Sequence, residues 1–210
     1  DIDLKGIKLK RMPRSIVDTG YGLERLVWAS QGTPTIYEAV FPDAVSHLTK
    51  LTNLKDSLEN SSSIISENAK ICGVLSIDYG SDLTELRQKV LDRLNAAGHS
   101  MTLPEFTSVI EPLEKLFAVV DHSRALAFMF GDGIVPSNVK AGYLARMVLR
   151  KTALLLRDLD AQDALSEMVS HHIDTFSATY PEIGANKTHI LDMVALEQKR
   201  FTQTLERGRR

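Results

Sequence analysis

Between Val120 and Leu159 the chain reads VDHSRALAFMFGDGIVPSNVKAGYLARMVLRKTALLLRDL, two apolar runs with helical spacing joined by a connector rich in Gly, Pro, Ser and Asn. Any fold for this chain has to accommodate two such helices in succession and a turn that glycine and proline hold in shape. When Ala141 to Leu159 is stepped round a helix at about 100° per residue, Arg146, Arg150 and Arg157 fall within roughly 40° of one another. Leu144, Met147, Val148, Leu149, Leu154, Leu155 and Leu156 fill most of the remaining circumference, which predicts a mostly buried helix with one narrow arginine stripe. Such a stripe is either a solvated face paired with nearby carboxylates or a site for a polyanion. The connector in front favours the second reading. Gly131, Gly133, Pro136, Ser137 and Gly142 can hold the Asn138 amide rigidly at the head of a basic helix. Phosphates would then meet the arginines while Asn138 meets a hydrogen-bonding group.

At 210 residues and 43% hydrophobic content the chain can bury a core of one or two domains. A formal net charge of -2 gives no overall attraction to nucleic acid, so a polyanion site must come from local clustering. No window reaches the roughly 18 apolar residues of a membrane span and no secretory leader opens the chain, so a cytoplasmic location and no membrane partner are expected. The single cysteine, Cys72, can form neither an internal disulfide nor a zinc cluster, and its apolar helical setting suggests a buried structural thiol. His171 and His172 are adjacent, hence about 100° apart on a helix, and cannot share a metal. His122, inside Asp121-His122-Ser123-Arg124, sits in a helix interior, a poor place for a nucleophilic pair. Arg124 falls on an apolar stripe and needs an acidic partner, for which Asp121 and Asp132 are nearest in sequence. The start at Asp1 without Met and the stop at Arg210 within a helical pattern suggest a piece of something longer.

Strand character is confined to the first 20 residues, in a segment before Gly6, in Ile7 to Lys10 and in Ser15 to Thr19. Helices are predicted over Leu23 to Ser30, ended by Gly32 to Pro34, and over Ala44 to Leu58, capped by Asp43 and ended by Ser61 to Ser63. Further helices are predicted over Ile64 to Ile77 and over Leu83 to Ala97, the latter capped by Ser81 or Asp82 and closed by Gly98. Thr102 and Glu105 have capping-box spacing with Pro104 in the first turn, and Pro112 is placed at the start of a helix through Phe130. Asp160 is expected to cap a helix to Ala178, Tyr180 and Pro181 to break the chain, and Asn186 to cap the last helix.

Ser15 to Arg25, SIVDTGYGLER, reads as strand, glycine turn and helix. Arg25 occupies the third glycine position of a dinucleotide fingerprint, so that motif fails. The bare backbone at Gly20 and Gly22 still admits a flat ring or a phosphate, and an arginine just inside the helix suits a phosphate. Gly20-Tyr21-Gly22-Leu23-Glu24-Arg25 resembles the third signature motif of class II aminoacyl-tRNA synthetases, and Val17 to Leu26 resembles the alanyl-tRNA synthetases in particular. The resemblance continues through Asp121 to Phe128, Asp132-Gly133-Ile134-Val135-Pro136-Ser137-Asn138, Gly142 to Arg146 and Glu197 to Leu205, and so spans essentially the whole chain. Trp28 to Pro34 and the helical insert between Phe41 and Pro112 look like the archaeal type.

The resemblance implies a predominantly α fold: a helical tRNA-recognition domain preceded by a short β remnant of a class II antiparallel-sheet catalytic domain. Residues 1–41 would be the end of that catalytic domain, and 42–210 the helical domain, with an insert at about 43–111. It implies that Arg25 is catalytic and holds the ATP γ-phosphate, that Gly22 lines the adenine side, and that Asp18 with Gly20 receives the amino group of alanine. Asn138 would read the G·U wobble pair of the tRNA(Ala) acceptor stem in the wide A-form minor groove, with Lys140, Arg146 and Arg150 on phosphates. ATP with Mg²⁺ would serve the intact ligase, and a homodimeric parent is among the expectations. The first two class II motifs would lie before Asp1, so no ATP is expected on this chain by itself, nor alanine adenylation; no zinc site is expected, and a second reader of the pair would lie elsewhere. Two other classes remain open: a free-standing ATP-using enzyme built on the glycine turn, and a helical protein- or RNA-interaction module with no ligase role.

Overall fold

A computed structural model describes residues 2–4, 7–9, 13–74 and 83–208; the side chains of 2–4, 7–9, 71–74 and 83 lie outside that description. So do the expected caps Ser81 and Asp82 and the surroundings of Cys72. The chain is predominantly α. Two three-residue strands, β1 (Ile2–Leu4) and β2 (Ile7–Leu9), pair antiparallel with Ile2 opposite Leu9 and Leu4 opposite Ile7. Ser15 to Thr19, predicted as a third strand, forms none; it runs exposed with no ladder partner among the described residues, and β-propensity without a neighbour to pair with does not make a strand.

Gly22, at φ +66, opens α1 (Leu23–Gln31), and Gly32, at φ +67, closes it by donating its N–H to the Trp28 carbonyl. A helical turn follows that Gly32 to Pro34 did not foretell: α2 (Ile36–Val40) starts from a Thr35–Glu38 capping box. The single helix expected over Ala44 to Leu58 is instead α3 (Pro42–Leu51) and α4 (Lys55–Asn60). Pro42 rather than Asp43 begins α3, and Asn53, at φ 54, breaks the run, a left-handed conformation that asparagine tolerates. Ser61 ends α4, after which α5 (Ser62–Val74) and α6 (Leu83–Ala96) follow, with Gly98 at φ +102 behind α6.

The central element is α7 (Leu103–Gly131), 29 residues and so about 43 Å long. Thr102 and Glu105 form the expected capping box, Glu105 Oε2 accepting from both the Thr102 N–H and hydroxyl at 2.7 Å. The helix does not begin at Pro112; it runs through it. A proline there removes one backbone hydrogen bond and costs about 3 kcal/mol, against burial worth about 1.5–3 kcal/mol for each of several large side chains. Phe106, Ile110, Leu113 and Leu116 are all buried on the face that crosses the proline, so packing decides.

Next comes α8 (Lys140–Asp158), which lies along α7, and α9 (Ala164–Phe176) covers the other flank of α7. Asp160 does not cap α9; at φ 55 it belongs to the turn that closes α8, and Asp163 occupies the cap position without a side-chain bond. Pro181 starts α10 (Pro181–Ala185), and α11 (Lys187–Gly208) packs on α8 and α9. Asn186 precedes α11, but its amide donates backwards to the Glu182 carbonyl at 3.0 Å. The core joins Leu116 and Leu126 of α7, Leu149 and Leu156 of α8, Leu165 and Met168 of α9, and Ile190 and Val194 of α11. Ala44, Val45 and Leu48 of α3 and Val90 and Leu94 of α6 belong to the same core.

The prediction of a mostly buried α8 is corrected. Only Gly142, Ala145, Leu149, Thr152 and Leu156, one stripe at every third or fourth residue, are buried. Tyr143, Leu144 and Met147 stand exposed, because α7 and α11 cover one side of the helix only.

Candidate nucleic-acid interface

The connector between α7 and α8 is held from both ends. The Asp132 N–H donates to the Phe128 carbonyl and that of Ile134 to the Met129 carbonyl, while the Ser137 N–H donates to the Gly142 carbonyl at 3.0 Å. Ser137 Oγ donates to the Val139 carbonyl and accepts from the Val139 N–H. Gly142 makes this closeness possible, since a Cβ there would run into Ser137 Oγ and the Val135 carbonyl oxygen. Asn138 and Lys140 are exposed at the head of α8.

Behind them Glu197 of α11 is 2% exposed. Its Oε1 accepts from Arg150 Nε at 3.0 Å and Nη2 at 2.7 Å, and Arg146 Nε lies 3.1 Å from the same oxygen as an ionic contact. Arg146 reaches forward as well, Nη1 donating to Asn138 Oδ1 and Nη2 to the Pro136 carbonyl at 3.2 Å. Arg150 also lies over the Phe201 ring, 5.3 Å from its centroid. Arg157, the third member of the expected stripe, is away from Glu197, its nearest carboxylate being Asp158 at 4.0 Å. The stripe is therefore a flank that turns inward at Arg146 and Arg150. The residue that sequence reasoning missed is Glu197. Ile190, Val194 and Glu197 follow one helical face, so a carboxylate in the third position is a core charge that requires a cation.

The glycine turn lies apart from that loop. Gly22, Glu24 and Arg25 line a cleft of ≈250 Å³ together with Tyr37 and Phe41 from α2 and its end, and Asp121 and Arg124 of α7. The Arg25 Cδ would meet a Gly22 Cβ at 3.5 Å, so the side chain lies folded over the glycine. Arg124 Nη2 donates to Asp121 Oδ1 at 3.2 Å, the expected pair, and its guanidinium lies 5.3 Å from the Phe41 ring centroid. Burial and the Asp121 charge raise the Tyr37 hydroxyl pKa. Asp18 and Gly20 are exposed and outside the lining of this cleft.

His172 and His122 are held within the bundle. His172 is buried with Nε2 3.0 Å from the Val120 carbonyl, and burial, then neighbouring His171, lowers its pKa to about 4. Burial also lowers His122, whose Nδ1 is 3.2 Å from Thr152 Oγ1. No group of three or more His, Cys, Asp or Glu able to hold a metal occurs among the described residues. Among the same residues no helix is long and apolar enough to cross a membrane.

A single family comparison takes in both the helical body and the glycine turn. The model of the tRNA synthetases class II (A) matches residues 4–210, and the chain belongs to that family. It is 47% identical over 212 residues to the alanine–tRNA ligase of Methanococcoides burtonii and 48% identical to that of Methanosarcina acetivorans, each alignment covering 100% of this chain and 22% of the relative. It is 41% identical over 201 residues to the alanine–tRNA ligase of Methanothermobacter thermautotrophicus, covering 96% of this chain and 21% of that protein. The chain thus spans about a fifth of the length of these archaeal relatives.

Proposed function

We propose that this chain is the part of an alanine–tRNA ligase that recognises the tRNA(Ala) acceptor stem, joined to the closing segment of the catalytic domain. The whole protein would activate alanine with ATP and transfer it to the tRNA. The observation that carries this reading is identity of 41–48% with proteins named alanine–tRNA ligase over 96–100% of the chain, with Asn138 exposed at the head of α8. In this reading residues 1–41 close the catalytic domain, with β1 and β2 the end of its antiparallel sheet, and 42–210 bind the stem, with an insert at about 43–111 that runs into the first turns of α7. Asn138 reads the G·U pair. Its Oδ1 keeps a second lone pair after accepting from Arg146, free for the guanine 2-amino group that a wobble leaves in the minor groove. Lys140 has no acidic partner among the described residues and is the readiest phosphate contact; Arg146 and Arg150 contribute positive potential from behind, even while paired to Glu197.

In the same reading the cleft beside α1 takes part of a nucleotide, Arg25 supplying the cation and Tyr37 and Phe41 the rings, while Arg124 stays paired to Asp121. Arg25 would hold the γ-phosphate, Gly22 would line the adenine side, and Asp18 with Gly20 would receive the alanine ammonium; Mg²⁺ would travel with the nucleotide.

The test is binding of two acceptor-stem minihelices that differ only in G·U versus G·C. The wild type should prefer G·U, and Asn138→Ala should remove about 1–3 kcal/mol of that preference. Equal affinity of the wild type for both stems would overturn the role of Asn138. Binding insensitive to salt would overturn the nucleic-acid reading itself.

A further inference from the structure

Asn138 carries an oxygen and a nitrogen that are interchangeable in shape, so its usefulness as a reader depends on which of them lies at the Arg146 end, where the oxygen keeps one lone pair for a base. Arg146 settles that, because a guanidinium has donors only and therefore selects the amide oxygen. Arg146 is in turn held at its other end. Its Nε contacts Glu197 Oε1, while Nη1 and Nη2 extend to Asn138 and to the Pro136 carbonyl, so the side chain is a strut between α11 and the loop. Arg150 lies on the same carboxylate oxygen, and the buried Oε2 has no hydrogen-bond partner among the described residues. An acceptor-only group two per cent exposed thus fixes a donor-only group, which fixes the amide.

We propose that Glu197 is a positioning residue for base-pair discrimination: it holds Arg146 against the loop and so sets the orientation of the Asn138 amide. This rests on the reading of Asn138 as the base-pair reader. A second consequence follows from the charge. With Glu197 neutral, Arg146 and Arg150 are released from a buried carboxylate and become available to backbone phosphates, which carry no sequence information.

The experiment compares the wild type, Glu197→Gln, Arg146→Lys and Asn138→Ala in the full-length protein, each against the G·U and G·C minihelices over a salt series. Glu197→Gln should lower the G·U over G·C preference about tenfold. It should also tighten binding of the G·C stem and steepen its salt slope by about one. A loss of folding would weaken both stems instead. Arg146→Lys keeps a cation beside Glu197 but lacks the fork, and should lose the preference without the gain in G·C affinity. The proposal is overturned if Asn138→Ala abolishes the preference while Glu197→Gln and Arg146→Lys leave it intact, or if Glu197→Gln, with an unchanged Tm, weakens both stems equally. Should the wild type show no preference, or Asn138→Ala not change it, the reading of Asn138 fails and the role of Glu197 falls with it.

Discussion

The bundle of α7, α8, α9 and α11 and the segment from Ile16 to Gln31 are built from similar residues and end in opposite environments. Leu116, Leu149, Leu165 and Ile190 are fully buried, whereas Ile16, Tyr21 and Leu23 stand in solvent and Val17 is 88% exposed. What separates them is a covering neighbour. Each bundle helix is faced by others, while α1 packs on little but α2 and buries none of its side chains. Apolar content therefore says that a surface wants burial, and only the partner element says whether it obtains it.

The largest effect that sharpens this contrast comes from paired truncations read by denaturant unfolding. Leu149→Ala should cost about 2–5 kcal/mol, and Val17→Ala within about 0.5 kcal/mol. A Val17→Ala loss as large as that of a core truncation would break the comparison, by showing that the segment is covered in solution. Next in size is the pH dependence that burial imposes on the bundle. The folded pKa of His172, about 4, lies below the ordinary 6.5, so the unfolded chain takes up its proton first as pH falls. Its contribution is complete above about pH 6.5 and is lost as pH falls towards 4, by about 3 kcal/mol in all. In His172→Gln the stability profile should flatten across that window; a profile as steep as the parent's would show that His172 is not the buried group responsible. The smallest of the three tests the loop rather than the core. Gly142→Ala should cost about 1–3 kcal/mol by pushing Ser137 and the Val135 carbonyl aside, and an Ala variant as stable as the parent would mean that the connector yields freely.

Local chemistry was the legible part of this fold. The Thr102–Glu105 box, the glycines around α1 and the break at Tyr180 and Pro181 each act through bonds between near neighbours, so their effects can be read from spacing. The misses are tertiary. Pro112 suggests a helix start only if the packing of Phe106 and Leu113 across it is ignored, and Ser15 to Thr19 looks like a strand only if a pairing partner is assumed. Within the candidate site, Asn138 and Arg25 are conspicuous because glycines and prolines frame them. Glu197 lies more than 45 residues from the arginines it joins, and only the packing of α11 on α8 brings it there.

Lys140 sits at φ +50, the left-handed region where a lysine side chain is strained by about 1–2 kcal/mol relative to glycine. The chain thus sets a long charged side chain at a backbone position that glycine would occupy with less strain, so the charge at the mouth of the loop comes at the expense of local stability.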